Sequence, residues 1–176
     1  MTDSIYFFLS SNVMYAYTRV GNLNLYRLKN GRELTTRAAA NWTRNELAKA
    51  LRSGPYQVNG LFAGFDEQNG PELFFLDYLA TMHKVNSSGH GYGGMFSLSL
   101  FDKHWVPNMS KQQSLQLVRK CVAEIQERLV VAPEKFLVKF VGKDGIEQLT
   151  MITATGEIEN NTVLGITGGK EVQMET

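Results

Sequence analysis

The sequence predicts an α+β fold of four layers, a sandwich with helices outside and two sheets inside. Three observations carry this expectation. Helical and strand-like stretches come in blocks, in the order helix pair, strands, helix pair, strands. The central strands are apolar on both faces, so each needs cover on both sides. The helices are apolar on one side, so each pair can supply one such layer.

In chain order, residues 1–12 hold one apolar run, Ile5 to Leu9, between polar ends, and a short strand is possible there. Val13, Tyr17, Val20, Leu23 and Leu28 fall at roughly helical spacing, and Lys29-Asn30-Gly31 reads as the helix stop. Thr35 is the expected N-cap of a second helix carrying Ala39, Trp42, Leu47 and Leu51, closed by Ser53-Gly54-Pro55. Gln57–Phe65 and Glu72–Leu79 follow as strands, joined by a polar link that contains Asn69-Gly70, a hairpin signal. A third short strand precedes the glycine-rich Ser88–Gly94, which reads as a tight strand-to-helix corner. Met95, Leu98, Phe101 and Trp105 then repeat at helical spacing, and Pro107 stops that helix.

Ser110 and Gln113 make a capping box for a long helix, with Leu115, Val118, Val122, Ile125 and Leu129 as its apolar stripe. Phe136–Val141 and Ile146–Ile152 form a closing hairpin around Lys143-Asp144-Gly145. Residues 1–152 are therefore expected to form one domain, with 153–176 a polar tail that holds a weak strand at Thr162–Ile166.

Composition narrows the function. With 176 residues, the chain suffices for one domain with a real core. Lys+Arg number 18 against 17 Asp+Glu, so nothing suggests a nucleic-acid or membrane-surface partner. No stretch approaches a membrane span, and the N-terminal apolar run lacks the basic lead of a signal peptide. Cys121 is the sole cysteine, which rules out an internal disulfide and suits a reducing compartment. The sequons at Asn41, Asn86, Asn108 and Asn161 are read as chance matches.

Several segments are specific in combination: NLNLYRLKNGRELT, ANWTRNELAKALRS, PYQVNGLFAGFDEQNGPELFFLDYLAT, GHGYGGMFSLSLFD, CVAEIQERLVV and FLVKFVGKDGIEQL. In wording and order they resemble the beta subunits of the eukaryotic proteasome, and among these a non-catalytic type, over about residues 22–150. The resemblance implies an N-terminal-nucleophile hydrolase fold. It implies a place in the 20S core particle, among other proteasome beta subunits and alpha-ring subunits, in ubiquitin-dependent protein degradation. It also implies residence in cytoplasm and nucleus, and no cofactor.

Active members of that family use a mature N-terminal threonine as nucleophile, helped by Asp and Lys residues on following strands, a serine in the glycine loop, and an Asp and a Ser after the long helix. Here those last three positions fall at Tyr92, Leu129 and Ala132, none of which can do the same proton transfer or hydrogen bonding. The family's first strands have no recognisable counterpart before Asn22, so residues 1–21 are divergent and the first sheet is expected to be incomplete. Thr2 is the one terminal threonine available, Lys29 sits at a helix end, and an active hydrolase using Thr2 is the alternative reading. Two explanations of the missing strands stand open. The sequence is a shortened isoform or gene model, which need not be incorporated, or residues 1–12 and the tail supply substitute strands.

Other polar groups have plainer readings. His83, His90 and His104 match no common metal spacing. Cys121 is expected as a buried small side chain, with no basic partner nearby in sequence. Asp102, Lys103 and His104 occupy consecutive helix positions and cannot converge. Phe62, Phe65, Phe74, Phe75 and Tyr78 are expected in core or inter-subunit packing, and no site residue is assigned.

Overall fold

The computed structural model describes residues 4–6, 13–32, 34–133, 136–151 and 158–164. Its elements are β1 (Ser4–Tyr6), α1 (Val13–Asn30), α2 (Thr36–Ala50), β2 (Gly60–Asp66), β3 (Gly70–Leu76), β4 (Met82–Lys84), α3 (Gly91–His104), α4 (Lys111–Arg128), β5 (Phe136–Gly142), β6 (Gly145–Met151) and β7 (Ile158–Leu164). Two antiparallel sheets result, one ordered β1-β5-β6-β7 and the other β2-β3-β4. This is the expected α+β arrangement of helices on two sheets.

Helix boundaries follow local chemistry. At the end of α1, the Gly31 N–H donates to Arg27 O at 2.9 Å with Gly31 at φ +65°, a left-handed cap. Thr35 caps α2, its hydroxyl accepting from Ala38 N at 3.2 Å. The capping box of α4 is complete: Ser110 N donates to Gln113 Oε1 at 2.9 Å, and Gln113 N to Ser110 Oγ at 3.3 Å. Ser110→Ala is expected to lower stability by about 1 kcal/mol, measured as a shift in the urea midpoint.

Two cores hold the layers together. Ala40 and Leu47 of α2 pack on Phe74 and Leu76 of β3 and on Ala80. Val118, Val122 and Ile125 of α4 pack on Phe136, Val138 and Phe140 of β5. The long helix also reaches the other sheet. Leu61 of β2 shares a small cavity with Ser97 and Phe101 of α3 and with Val118 and Cys121 of α4. The β2–β3 hairpin is thus covered on both faces, because Leu61, paired with Phe75, points opposite to Phe74 and Leu76. Val122 is fully buried, and Val122→Ala is expected to cost about 2 kcal/mol in chemical denaturation.

The structure departs from the sequence reading at four boundaries. Strand β2 begins at Gly60, not Gln57. Strand β3 stops at Leu76, not Leu79, because Asp77–Thr81 folds into a turn. Asp77 N donates to Thr81 O at 3.2 Å, Thr81 N donates to Asp77 Oδ1 at 2.7 Å, and Tyr78 and Leu79 are left exposed. Helix α3 starts at Gly91, so half of the glycine stretch is helical. Residues 1–12 and the tail do contribute strands: β1 pairs with β5, and β7 pairs with β6 at Ile158–Leu164 rather than Thr162–Ile166.

Candidate functional site

The corner between β4 and α3 is where the sequence reading looks for chemistry. His90 is the N-cap of α3 but makes no side-chain cap bond. Its ring stacks on Phe75 with centroids 4.6 Å apart, and its Nε2 is buried with no hydrogen-bond partner. Gly91 takes φ +70° to enter the helix. Behind it, two backbones touch: a Cβ on Gly89 would lie 2.7 Å from Gly94 Cα, and one on Gly94 would lie 2.6 Å from Gly89 C. Only glycine fits at either place. The corner is therefore closed by its own backbone and leaves a small apolar cavity beneath it.

The residues that the resemblance assigns to reactive positions lie, where described, on separate elements. Tyr92 lies in the first turn of α3 and is 77% exposed. Leu129 is the C-cap of α4, its N–H donating to Ile125 O at 2.9 Å, and its side chain packs on the α4–β5 core. Ala132 follows in the turn before β5, partly buried. Lys29 is exposed in the last turn of α1. Thr2 lies outside the described residues, just ahead of β1.

The remaining candidates are placed apart. His83 is exposed on β4, and His104 ends α3, where desolvation and then Lys120 and Lys103 hold its pKa below the usual histidine value. Among the described residues no group of three His, Cys, Asp or Glu side chains could hold a metal ion. No described helix is long and apolar enough to cross a membrane. Cys121 is buried under the corner, and burial pushes its thiol up to about 11, with the Ser97 hydroxyl opposing weakly.

The Cys121 shift has two consequences. Native protein at pH 8 is expected to react with a thiol reagent far more slowly than urea-unfolded protein, because the thiolate is the nucleophile. Since the folded thiol titrates above its ordinary value of 9.0, its effect on stability is neutral below that pH. Stability is lost as pH rises from there to about 11, where the unfolded thiol ionises first. Thermal melts at pH 8 and pH 10.5 test the sign.

Sequence reasoning missed one buried charged group, Glu72, which is 2% exposed under α2. Lys84 Nζ lies 2.8 Å and Arg37 Nη2 3.5 Å from its Oε1, while Oε2 is buried without a partner. The signal available was the parity of Glu72 with Phe74 and Leu76 on one strand face.

Comparison with known proteins decides which family this corner and these layers belong to. The sequence profile described as "Proteasome subunit" matches residues 12–141, well over half of the chain. The chain belongs to the proteasome subunit family. The proteasome subunit beta type-2-A of Arabidopsis thaliana is 53% identical over 124 residues, covering 70% of this chain and 61% of that protein. The beta type-2-B of the same plant is 50% identical over 127 residues, covering 72% of this chain and 64% of that protein. The proteasome subunit beta type-4 of Saccharomyces cerevisiae is 40% identical over 139 residues, covering 78% and 70%.

The matched region thus spans about six tenths of the first of these relatives. The proteasome family's fold is that of the N-terminal-nucleophile hydrolases, and the mixed helices and sheets agree with it. The profile begins at residue 12, so residues 1–11 lie outside the match.

Proposed function

We propose that this chain is a non-catalytic, structural beta subunit of the 20S proteasome core. Its work would be to complete a ring and shape the chamber wall, in ubiquitin-dependent protein degradation in cytoplasm and nucleus. Its partners would be neighbouring beta subunits and alpha-ring subunits.

The observation that carries the reading is the chemistry at three positions. Where active members of the family place a serine, an aspartate and a serine, this chain has Tyr92, Leu129 and Ala132. Leu129 has no polar side-chain atom and sits against a core, and Ala132 can neither give nor take a proton. Exposed apolar side chains support an assembly role. Leu28 on α1 is 76% exposed and Met95 on α3 is 70% exposed, and solvent-facing apolar groups on regular helices suit subunit contact.

Affinity purification of the tagged chain from cells that make the particle should bring down other ring subunits. Elution as a lone monomer from those cells would sink the proposal. Peptide hydrolysis by the purified chain that is abolished by Thr2→Ala would overturn its non-catalytic part.

A further inference from the structure

The chain contains the dipeptide Asn-Gly three times, at Asn30-Gly31, Asn59-Gly60 and Asn69-Gly70. Asparagine before glycine is chemically labile, because no side chain shields the glycine nitrogen from the asparagine carboxamide. The fold treats the three copies differently.

Asn30 ends α1. Its Nδ2 donates to Tyr26 O at 2.9 Å, and the Gly31 N–H that would have to attack is held by Arg27 O at 2.9 Å. Asn59 leads into β2, where its Oδ1 accepts from Tyr78 N at 3.0 Å and Gly60 is paired with Leu76. Both carboxamides are held in place by a hydrogen bond, and this, rather than the pairing of the following glycine, is what sets them apart. Asn69 is exposed at the tip of the β2–β3 hairpin, in the turn just before the terminal Asp66–Gly70 pair of the ladder. It has no hydrogen bond to another described residue, and the space around Gly70, at φ +70°, is open.

We infer that Asn69 is a site of spontaneous, selective deamidation, with water as the only co-reactant. The Gly70 backbone nitrogen, once its proton passes to solvent base, bonds to Asn69 Cγ. The Cγ–Nδ2 bond breaks and ammonia leaves with a proton from water, giving a five-membered succinimide. Hydrolysis at one of its two carbonyls yields aspartate, and hydrolysis at the other yields isoaspartate. No electron transfer is involved.

The location gives the change a structural effect. Asp66, at the base of the same turn, accepts the Thr36 N–H at 3.1 Å and so ties the start of α2 to the hairpin. Either product places a new carboxylate beside Asp66 and Glu67. Isoaspartate also lengthens the main chain by one methylene inside a three-residue turn and disturbs the Asp66–Gly70 pairing. The modification therefore lies beside one of the contacts that hold α2 to its sheet.

The test is to incubate the purified full chain at 37 °C and pH 8, sampling over weeks. Fragment-ion mass spectrometry then follows the mass increase of about one dalton at each of the three asparagines. Asn69 should convert at least about fivefold faster than Asn30 or Asn59, the factor that corresponds to one hydrogen bond of about 1 kcal/mol holding the carboxamide. Asn69→Gln should abolish the acidic product peptide, and after the same incubation it should keep a melting midpoint that the unmodified sequence loses. Equal rates at the three asparagines, or an unchanged Asn69 after the others have reacted, would overturn the inference. The same ordering repeated in urea-unfolded protein would also overturn it, because local sequence and not the fold would then set the rates.

Discussion

Gly94→Ala is expected to destabilise the chain by about 2 kcal/mol, although alanine is the better helix former. In the interior of an exposed helix the exchange would gain about 1 kcal/mol. Here the new Cβ would lie 2.6 Å from Gly89 C and 3.0 Å from Gly89 O, both main-chain atoms that no rotamer change can move aside. Forcing such a contact costs about 3 kcal/mol, so the steric term wins. Gly54 gives the control. A Cβ there meets nothing within 4 Å, and Gly54→Ala should stay within about 0.5 kcal/mol of the parent. Urea unfolding of both variants decides it. Equal midpoints for the two would show that the corner is not closed by backbone contact.

Removing both cations from Glu72 should have the largest effect. The carboxylate lies under α2 at 2% exposure and, among the described residues, is met at Oε1 by Lys84 and Arg37, with Arg37 also over the Phe74 ring at 5.8 Å. The double variant Arg37→Met, Lys84→Met leaves a buried charge without a counter-ion and is expected to lose about 3–5 kcal/mol. Adding Glu72→Met should restore most of that, since an apolar group of similar volume suits a site beside Phe74 and Leu76. Chemical denaturation of the three proteins tests it. A triple variant no more stable than the double would mean that packing, not charge, sets the loss.

These two sites differ in how far they were legible beforehand. The glycine stretch was visible as a corner, because several glycines after a strand and before an apolar helical repeat leave few other roles. That Gly89 and Gly94 touch each other was not visible. Contact between backbones five residues apart depends on the path of the chain, and φ at Gly91 sets that path. Glu72 was read simply as the start of a strand. Its burial follows from α2 lying over that strand face and from Lys84 arriving on β4, partner to Phe74 in the ladder.

Misplaced strand ends have a similar cause. Tyr78 and Leu79 continue an apolar run, but the Asp77 carboxylate captures the Thr81 N–H and turns the chain. Arg44 Nε then holds Ala80 O at 3.0 Å, with Ala80 at φ +63°. An apolar pattern reports which residues could be buried, and it does not report a side chain that competes for the backbone.

By itself the sequence determined the element order, the caps at Thr35 and Ser110, the apolar stripe of α4 and the family. These are local or residue-by-residue properties, set by periodicity, by hydrogen bonds within one turn, or by the chemistry of one side chain. Only the tertiary structure decided that β1 and β7 join the sheet of β5 and β6, that Glu72 is enclosed with two cations, that Cys121 is sealed under the corner, and that Asn69 differs from Asn30 and Asn59. Apart from the helix-end bonds of Asn30 and Gly31, which are local, these depend on groups from separate elements being brought together, and no single stretch of sequence carries that information.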